Sequence, residues 1–437
     1  MHELYLKVFA DRSELKGADG KVHTFEEGKS SSEAKERYRK IAQELKSGFL
    51  EKKIEKVKAG LDSSELKLSD PQRANIDQLV QSITSEVGRA VVGLAILQLT
   101  VKAIAPEQSI RLHKGGDSSG QFSWSEGISM RVLDKNFITP VLRRHGLLKL
   151  NADGFMMTRS LAENYPYSVV YKAKVRGARN EWLQLVEELE SGEIPADHAL
   201  IFILSLLVNK AGDFIELRDK AVATLDKFIR KNRDIDLKGV LDIILQHVNG
   251  SDHAARLMEI AMHSLMQAFR DLDLLQAELV PLSQMRSANK KHGNIGDIEL
   301  TIQGTIAESW DAKYGKGYLR DELEELSDKL QSQQEAVAIA GFVTTDPPDL
   351  KRGVSERMSE LEAMHGTKIV VLKIDDWMKY VVEKHGELIK DQSLIARGWI
   401  TAYLESLGQM RREIAPIDEP CYEWLKTFET LLAESVD

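Results

Sequence analysis

Three side chains in one short stretch have the types and spacing of a hydrolytic centre: Asp297, Asp311 and Lys313, carried by residues 295–300 and 308–314. Residues alternate faces along a β-strand, so Asp311 and Lys313 would share a face. Asp297 stands fourteen residues upstream of Asp311, a separation that suits a hairpin bringing two carboxylates and one lysine together. Two carboxylates can hold Mg²⁺ and leave positions open for water and phosphate. A lysine beside them can stabilise the attacking hydroxide and the charge on the phosphate. The chemistry these residues offer is phosphodiester hydrolysis, with Asp297 and Asp311 as metal ligands and Lys313 positioning or activating the water.

The elements around them give the triplet its weight. Acid-x-Lys also occurs at Glu51–Lys53 and Glu65–Lys67, both in charged, helix-like sequence. The third instance follows a β-type run at Thr305–Ala307 and precedes a helical pattern. The chain then returns to strand at 337–343 and 368–372, so the expected order is strand, strand, helix, strand, helix, strand. This order and these residues resemble the PD-(D/E)XK nuclease superfamily, type II restriction endonucleases in particular, over about residues 252–377. Asp297 matches the first acid, Asp311 the second and Lys313 the lysine. Gly296 stands where the superfamily has a variable proline. Glu259, in the helical run 256–261, is a candidate for the further glutamate that the superfamily often carries on a preceding helix; a solvated helix charge is the alternative. The resemblance implies Mg²⁺-dependent, sequence-specific cleavage of double-stranded DNA, by a homodimer matched to a two-fold symmetric site. Two other readings are a nuclease of this fold acting in repair or on modified or branched DNA, and a non-enzymatic DNA-binding regulator.

Composition limits the alternatives. The 437 residues are 43% hydrophobic, enough for two or three domains with cores of their own. A formal net charge of −9 excludes a uniformly basic coat but not a local basic patch. A single cysteine, Cys421, excludes an intramolecular disulfide and cysteine-rich zinc sites and fits a reducing, cytoplasmic setting. The first residues do not read as a signal peptide. The apolar run 90–99 is too short to span a bilayer, so no membrane association is expected. His253, His263 and His292 lack zinc-site spacing, and no Walker A loop or GxGxxG turn occurs.

The expected fold class is α+β: a mainly helical N-terminal half and a C-terminal α/β domain, restriction-endonuclease-like, with a mixed sheet. Residues 1–110 read as helical, with a start at Ser30–Ser32 and a break at 60–64. Residues 111–180 mix basic and aromatic side chains. A helical run at 128–145, in two pieces meeting near Asp134, leads into a β-hairpin pattern at 147–158 with an Asp-Gly turn. Helix then hairpin is the shape that ends a winged helix. Arg131, Lys135, Arg143, Arg144 and Arg159 are its candidate DNA contacts, because arginine and lysine grip phosphates and read guanine edges. Residues 181–250 read as a helical connector in which Trp182, Leu183, Leu185 and Val186 share a buried face. Residues 251–437 form the nuclease domain, with Ser251 or Asp252 capping its first helix, which runs from His253 to about Leu279. Asn289, Lys290 and Lys291, in the polar loop before Asp297, are candidates for gripping the scissile strand.

Arg143 and Arg144 follow Val141 and Leu142 at the end of a helical pattern, where the apolar positions point inward and the arginines do not. Replacing both by alanine is expected to weaken DNA binding and lower the log–log salt slope by about 2, because two phosphate contacts are lost. Filter binding across a salt series checks this. An unchanged slope in a variant that melts like the wild type would place the DNA surface elsewhere.

Overall fold

The computed structural model describes residues 4–17, 20–61, 63–84, 86–112, 124–148, 165–170, 177–282, 294–333, 336–386, 389, 391–409 and 421–436. The fold is α+β, largely helical, with a three-stranded antiparallel sheet and a five-stranded mixed sheet. The chain divides into two compact units, Met1–Phe214 and Ile215–Asp437. The 36-residue helix Ala196–Lys231 runs through the division. Among the described residues, no helix is long and apolar enough to cross a membrane.

The first unit opens with β1 (Tyr5–Val8), β2 (Arg12–Lys16) and β3 (Val22–Glu26), an antiparallel meander. The helical reading of residues 1–110 is corrected here. Inward-facing Ser13 and Leu15 alternate with more exposed neighbours on β2, a period-2 pattern too short to stand out among charged residues. Helices α1 (Ser32–Lys46), α2 (Phe49–Lys58), α3 (Asp70–Gln81) and α4 (Glu86–Ile104) follow. Ser31 caps α1 by accepting from the Ala34 amide, and Ser69 with Gln72 forms a capping box on α3. From Ala90 to Val101 every residue of α4 is buried, which makes it the central helix of this unit.

Residues 130–144 are helical in three pieces: α5 (Met130–Leu133), a π-helical turn over Asp134–Ile138, and α6 (Thr139–Arg144). The junction expected near Asp134 is this π turn, in which the buried Asp134 carboxylate accepts from the Thr139 hydroxyl at 3.0 Å. Helix α7 (Arg179–Ser191) buries Trp182, Leu183, Leu185 and Val186 as their spacing requires. The Trp182 indole N–H donates to Gln98 of α4 at 2.8 Å. The hairpin pattern at 147–158 lies outside the described residues beyond Leu148.

The second unit contains the end of the long helix α8 (Ala196–Lys231), then α9 (Leu237–Asn249) and α10 (Ala254–Asp271). Neither Ser251 nor Asp252 caps α10. His253 occupies the cap with a left-handed backbone (φ 61°) and gives no side-chain cap bond. The helix also ends at Asp271, earlier than Leu279, and a short strand β4 (Glu278–Leu279) takes up the remainder. Strands β5 (Ile298–Ile302) and β6 (Thr305–Lys313) form a hairpin. Its turn places Gln303 and Gly304 at φ 54° and 84°, the positive pair that a twisted two-residue hairpin requires. Helix α11 (Arg320–Gln331), β7 (Ile339–Thr344), α12 (Arg352–His365) and β8 (Lys368–Lys373) complete the expected alternation, and α13 (Ile374–His385) follows directly. Helices α14 (Gln392–Gly408) and α15 (Cys421–Glu434) close the unit.

The sheet order is β4-β5-β6-β7-β8, antiparallel up to β6 and parallel from β6 to β8. Leu319, Leu323, Leu326 and Leu330, on and just before α11, and Val354 and Leu361 of α12 cover one face, against Ala340, Phe342, Ile369 and Val371. On the other face Trp310 of β6 meets Trp377 and Tyr380 of α13 edge-on, at ring separations of 6.1 and 5.5 Å. The Trp310 ring lies over Gly341, its partner on β7. A Cβ at Gly341 would come within 2.7 Å of that ring and 2.6 Å of the Val370 carbonyl oxygen. Gly341→Ala is expected to destabilise this unit by about 1–3 kcal/mol, the usual cost of overpacking. Urea unfolding should show it as a lower midpoint at unchanged slope.

Candidate active site

The site is built where the chain enters β5. Glu299 points inward from β5 and is 4% exposed. Its Oε1 accepts from the backbone amides of Ile295 at 2.6 Å and Gly296 at 3.3 Å, folding the entering segment back on the strand. The Asp297 amide then donates to the Trp310 carbonyl at 2.9 Å, and the Asp297 Oδ2 accepts from the Ala312 amide at 3.0 Å. These bonds lock Asp297 against β6 beside Asp311. Gly296 makes the approach possible. A Cβ there would sit 2.7 Å from both Ser309 Oγ and the Trp310 carbonyl oxygen, so a side-chain-bearing residue, proline included, would force the segment away.

Asp311 and Lys313 share a face, as alternation requires. Asp311 pairs in register with Phe342, which sets that face toward α11 and α12. Lys313 Nζ lies 3.1 Å from Asp311 Oδ2 and 2.6 Å from Glu322 Oε2 of α11, and over the Phe342 ring at 5.9 Å. Lys316 also bonds Glu322. Asp311, Lys313 and Glu322 are each only 14–17% exposed at the side chain.

The two aspartates lie close enough for each to act on the other's ionisation. Burial, reinforced by the neighbouring charge of Glu259, pushes the Asp297 carboxyl above the usual carboxylate range. Burial and then the Asp297 charge push Asp311 up to about 8. Like charges this close in a half-buried site disfavour one another's ionisation, so both carboxyls hold protons more tightly than usual. Burial works against the Lys313 charge, but Asp311 and Glu322 outweigh it and hold the ammonium above the ordinary lysine range. Burial likewise opposes ionisation of Glu322, and Lys313 and Lys316 pull its carboxyl below the usual value.

Asp297, Asp311 and Lys313 are thus brought together. Glu259 lies near enough to act on Asp297 electrostatically, while its own carboxylate bonds the buried Arg256 guanidinium. Arg131, Lys135, Arg143 and Arg144 belong to the first unit. Lys135, Arg143 and Arg144 are exposed and Arg131 is half-buried. Arg144 bonds Glu51 at 2.9 Å, and Glu51 also meets His145 at 3.1 Å. Arg111, at the head of the segment read as basic, is buried and paired with Glu187 at 2.7 Å, so its charge serves the fold. Arg159, Asn289, Lys290 and Lys291 lie outside the described residues.

Sequence reasoning missed Glu299 and Glu322. Glu299 had a signal, since it is an acid inside the apolar run Ile298–Leu300. Glu322 stands in an acid-rich run, Asp321–Glu325, whose members differ only once α11 is docked.

Among the described residues, no group of three or more His, Cys, Asp or Glu side chains is arranged to hold a metal ion. Asp297 and Asp311 still fit Mg²⁺, which binds through one or two carboxylates and keeps the rest of its shell for water and phosphate. A divalent charge there would relieve the mutual repulsion that raises both carboxyls. No protein-family model matches the chain, and no curated protein matches it.

A carboxyl whose folded value lies above its unfolded value of 3.8, as for Asp311, favours the folded state below that value. The advantage is lost as pH rises toward 8. Asp311→Asn should therefore change stability little at pH 4 and raise it by about 1–3 kcal/mol at pH 8.5, where charging the buried pair is costly. Mg²⁺ should raise the pH 8.5 melting temperature of the wild type and not that of the variant. Thermal melts at the two pH values, with and without Mg²⁺, check both expectations.

Proposed function

We propose that the second unit hydrolyses phosphodiester bonds of double-stranded DNA with Mg²⁺, as a type II restriction endonuclease of the PD-(D/E)XK kind. One observation carries the reading: the β5–β6 hairpin brings Asp297, Asp311 and Lys313 into a half-buried cluster, with Lys313 Nζ 3.1 Å from Asp311. The strand and helix order around them, β5-β6-α11-β7-α12-β8, is the one that the resemblance implies.

Asp297 and Asp311 would hold the cation, which when bound supplies a Lewis acid and lowers the pKa of water. The Ala312 amide fixes the orientation of the Asp297 carboxylate. Lys313 is held charged by Asp311 and Glu322, so it meets a phosphate as a fixed positive charge and stabilises the charge that develops there. The exposed basic side chains of residues 131–144, and a homodimer matched to a two-fold site, are the parts of the proposal that concern recognition.

Purified protein with Mg²⁺ is expected to cut a sequenced, unmodified plasmid into discrete bands, and EDTA should stop it. Lys313→Ala should lose at least about 100-fold in cleavage rate, the scale of losing one charge stabiliser, and keep specific DNA binding. Cutting of modified or branched DNA alone would favour the repair reading. DNA binding without any Mg²⁺-dependent nicking would favour a non-enzymatic regulator.

A further inference from the structure

Helix α11 presents an apolar stripe to the sheet through Leu319, Leu323, Leu326 and Leu330. Glu322 stands three residues after Leu319 and four before Leu326, on the flank of that stripe, since positions three and four apart are neighbours on a helix. A glutamate at the edge of a buried face needs a partner, and Glu322 has two. Its Oε2 lies 2.6 Å from Lys313 Nζ, and its Oε1 bonds Lys316.

The surroundings fix this arrangement. The Lys316 amide donates to the Lys313 carbonyl at 3.3 Å. The Gly315 amide donates to Thr345 Oγ1 at 2.8 Å, and the Asp349 amide donates to the Gly317 carbonyl at 2.7 Å. The turn after β6 is thereby tied to the segment after β7. Lys313 ends its strand with a long, flexible stem, and lysine side chains lose substantial rotamer freedom when pinned. Asp311 alone would leave its ammonium free to swing toward solvent around one contact. Glu322 supplies the second contact, from a different element.

We infer that Glu322 is a positioning residue for Lys313: from α11 it holds the ammonium at the carboxylate pair, where a reacting phosphate would meet it. The inference rests on the nuclease reading above and adds to it a residue outside the Asp-Asp-Lys set. Lys316 keeps Glu322 on the helix side of the site, because a carboxylate with two lysine partners is less free to turn toward a bound cation.

Four measurements decide it. Glu322→Gln should slow single-turnover cleavage of a plasmid about 10–100-fold at saturating Mg²⁺ while leaving DNA affinity and melting temperature unchanged. Glu322→Asp should recover part of the rate. The double variant Lys313→Met/Glu322→Gln should be no slower than Lys313→Met alone, a non-additivity that a merely structural role does not produce. Independently of cleavage, the ¹⁵N spectrum of lysine ammonium groups should show one immobilised signal, assigned by its loss in Lys313→Met, that becomes mobile in Glu322→Gln. If wild-type protein cuts DNA and Glu322→Gln cuts at the same rate, or if losses in the double variant add, the inference is overturned. If wild-type protein cuts no DNA, the nuclease reading fails, and the ammonium spectrum still decides whether Glu322 positions Lys313.

Discussion

The candidate site depends on one close approach, that of the Gly296 backbone to β6. With no side chain at 296, the entering segment lies against Ser309 and the Trp310 carbonyl, and the Asp297 amide reaches that carbonyl at 2.9 Å. This contact sets two carboxylates side by side. Everything else at the site answers the electrostatic cost that follows. The Ala312 amide donates to Asp297, Asp311 keeps a raised proton affinity, and Lys313 is drawn in and held by Glu322. A protein that gathers like charges in a half-buried place spends stability to do so, and such places are enriched at functional sites.

The sheet supplies the rigidity for that arrangement. Strand β6 is central, paired antiparallel to β5 and parallel to β7. Its two faces divide the work. Trp310 packs over Gly341 against α13, while Asp311 and Lys313 look toward α11 and α12. The bulge between Leu300 and Thr301 interrupts the ladder beyond the site end, so the register from Ile298 to Leu300 holds undisturbed where Asp297 meets β6. Glu308, on the Trp310 face, accepts from the Trp310 indole at 2.6 Å and bonds Lys384, so its charge is engaged on the side of the sheet away from Asp311.

The first unit is organised on a different principle. Helix α4 is buried along most of its length, and Gln98 inside it is matched at both ends of its amide: it accepts from Trp182 and donates to the Ile110 carbonyl. Arg111 is neutralised by Glu187. Basic residues in this unit thus divide into those spent on the interior and those left at the surface, such as Lys135 and Arg143, and composition alone does not separate the two groups.

The local pattern of the chain determined the alternation of strands and helices from Ile298 to Lys373, the face shared by Asp311 and Lys313, and the buried stripe of α7, because each follows from a period of 2 or 3.6 residues. It also singled out Asp297, since a turn and a β-type run place it within hairpin reach of Asp311. It did not determine the β1–β3 meander, whose short strands carry too few apolar residues to show a period. Nor did it determine the cap of α10, where His253 adopts a left-handed backbone. Tertiary structure alone decided that Gly296 is there for closeness, that Glu299 folds the entry to β5, and that Glu322, of all the acids on α11, meets Lys313. Those facts depend on which elements touch, and contact between residues far apart in the chain leaves no periodic trace in the order of amino acids.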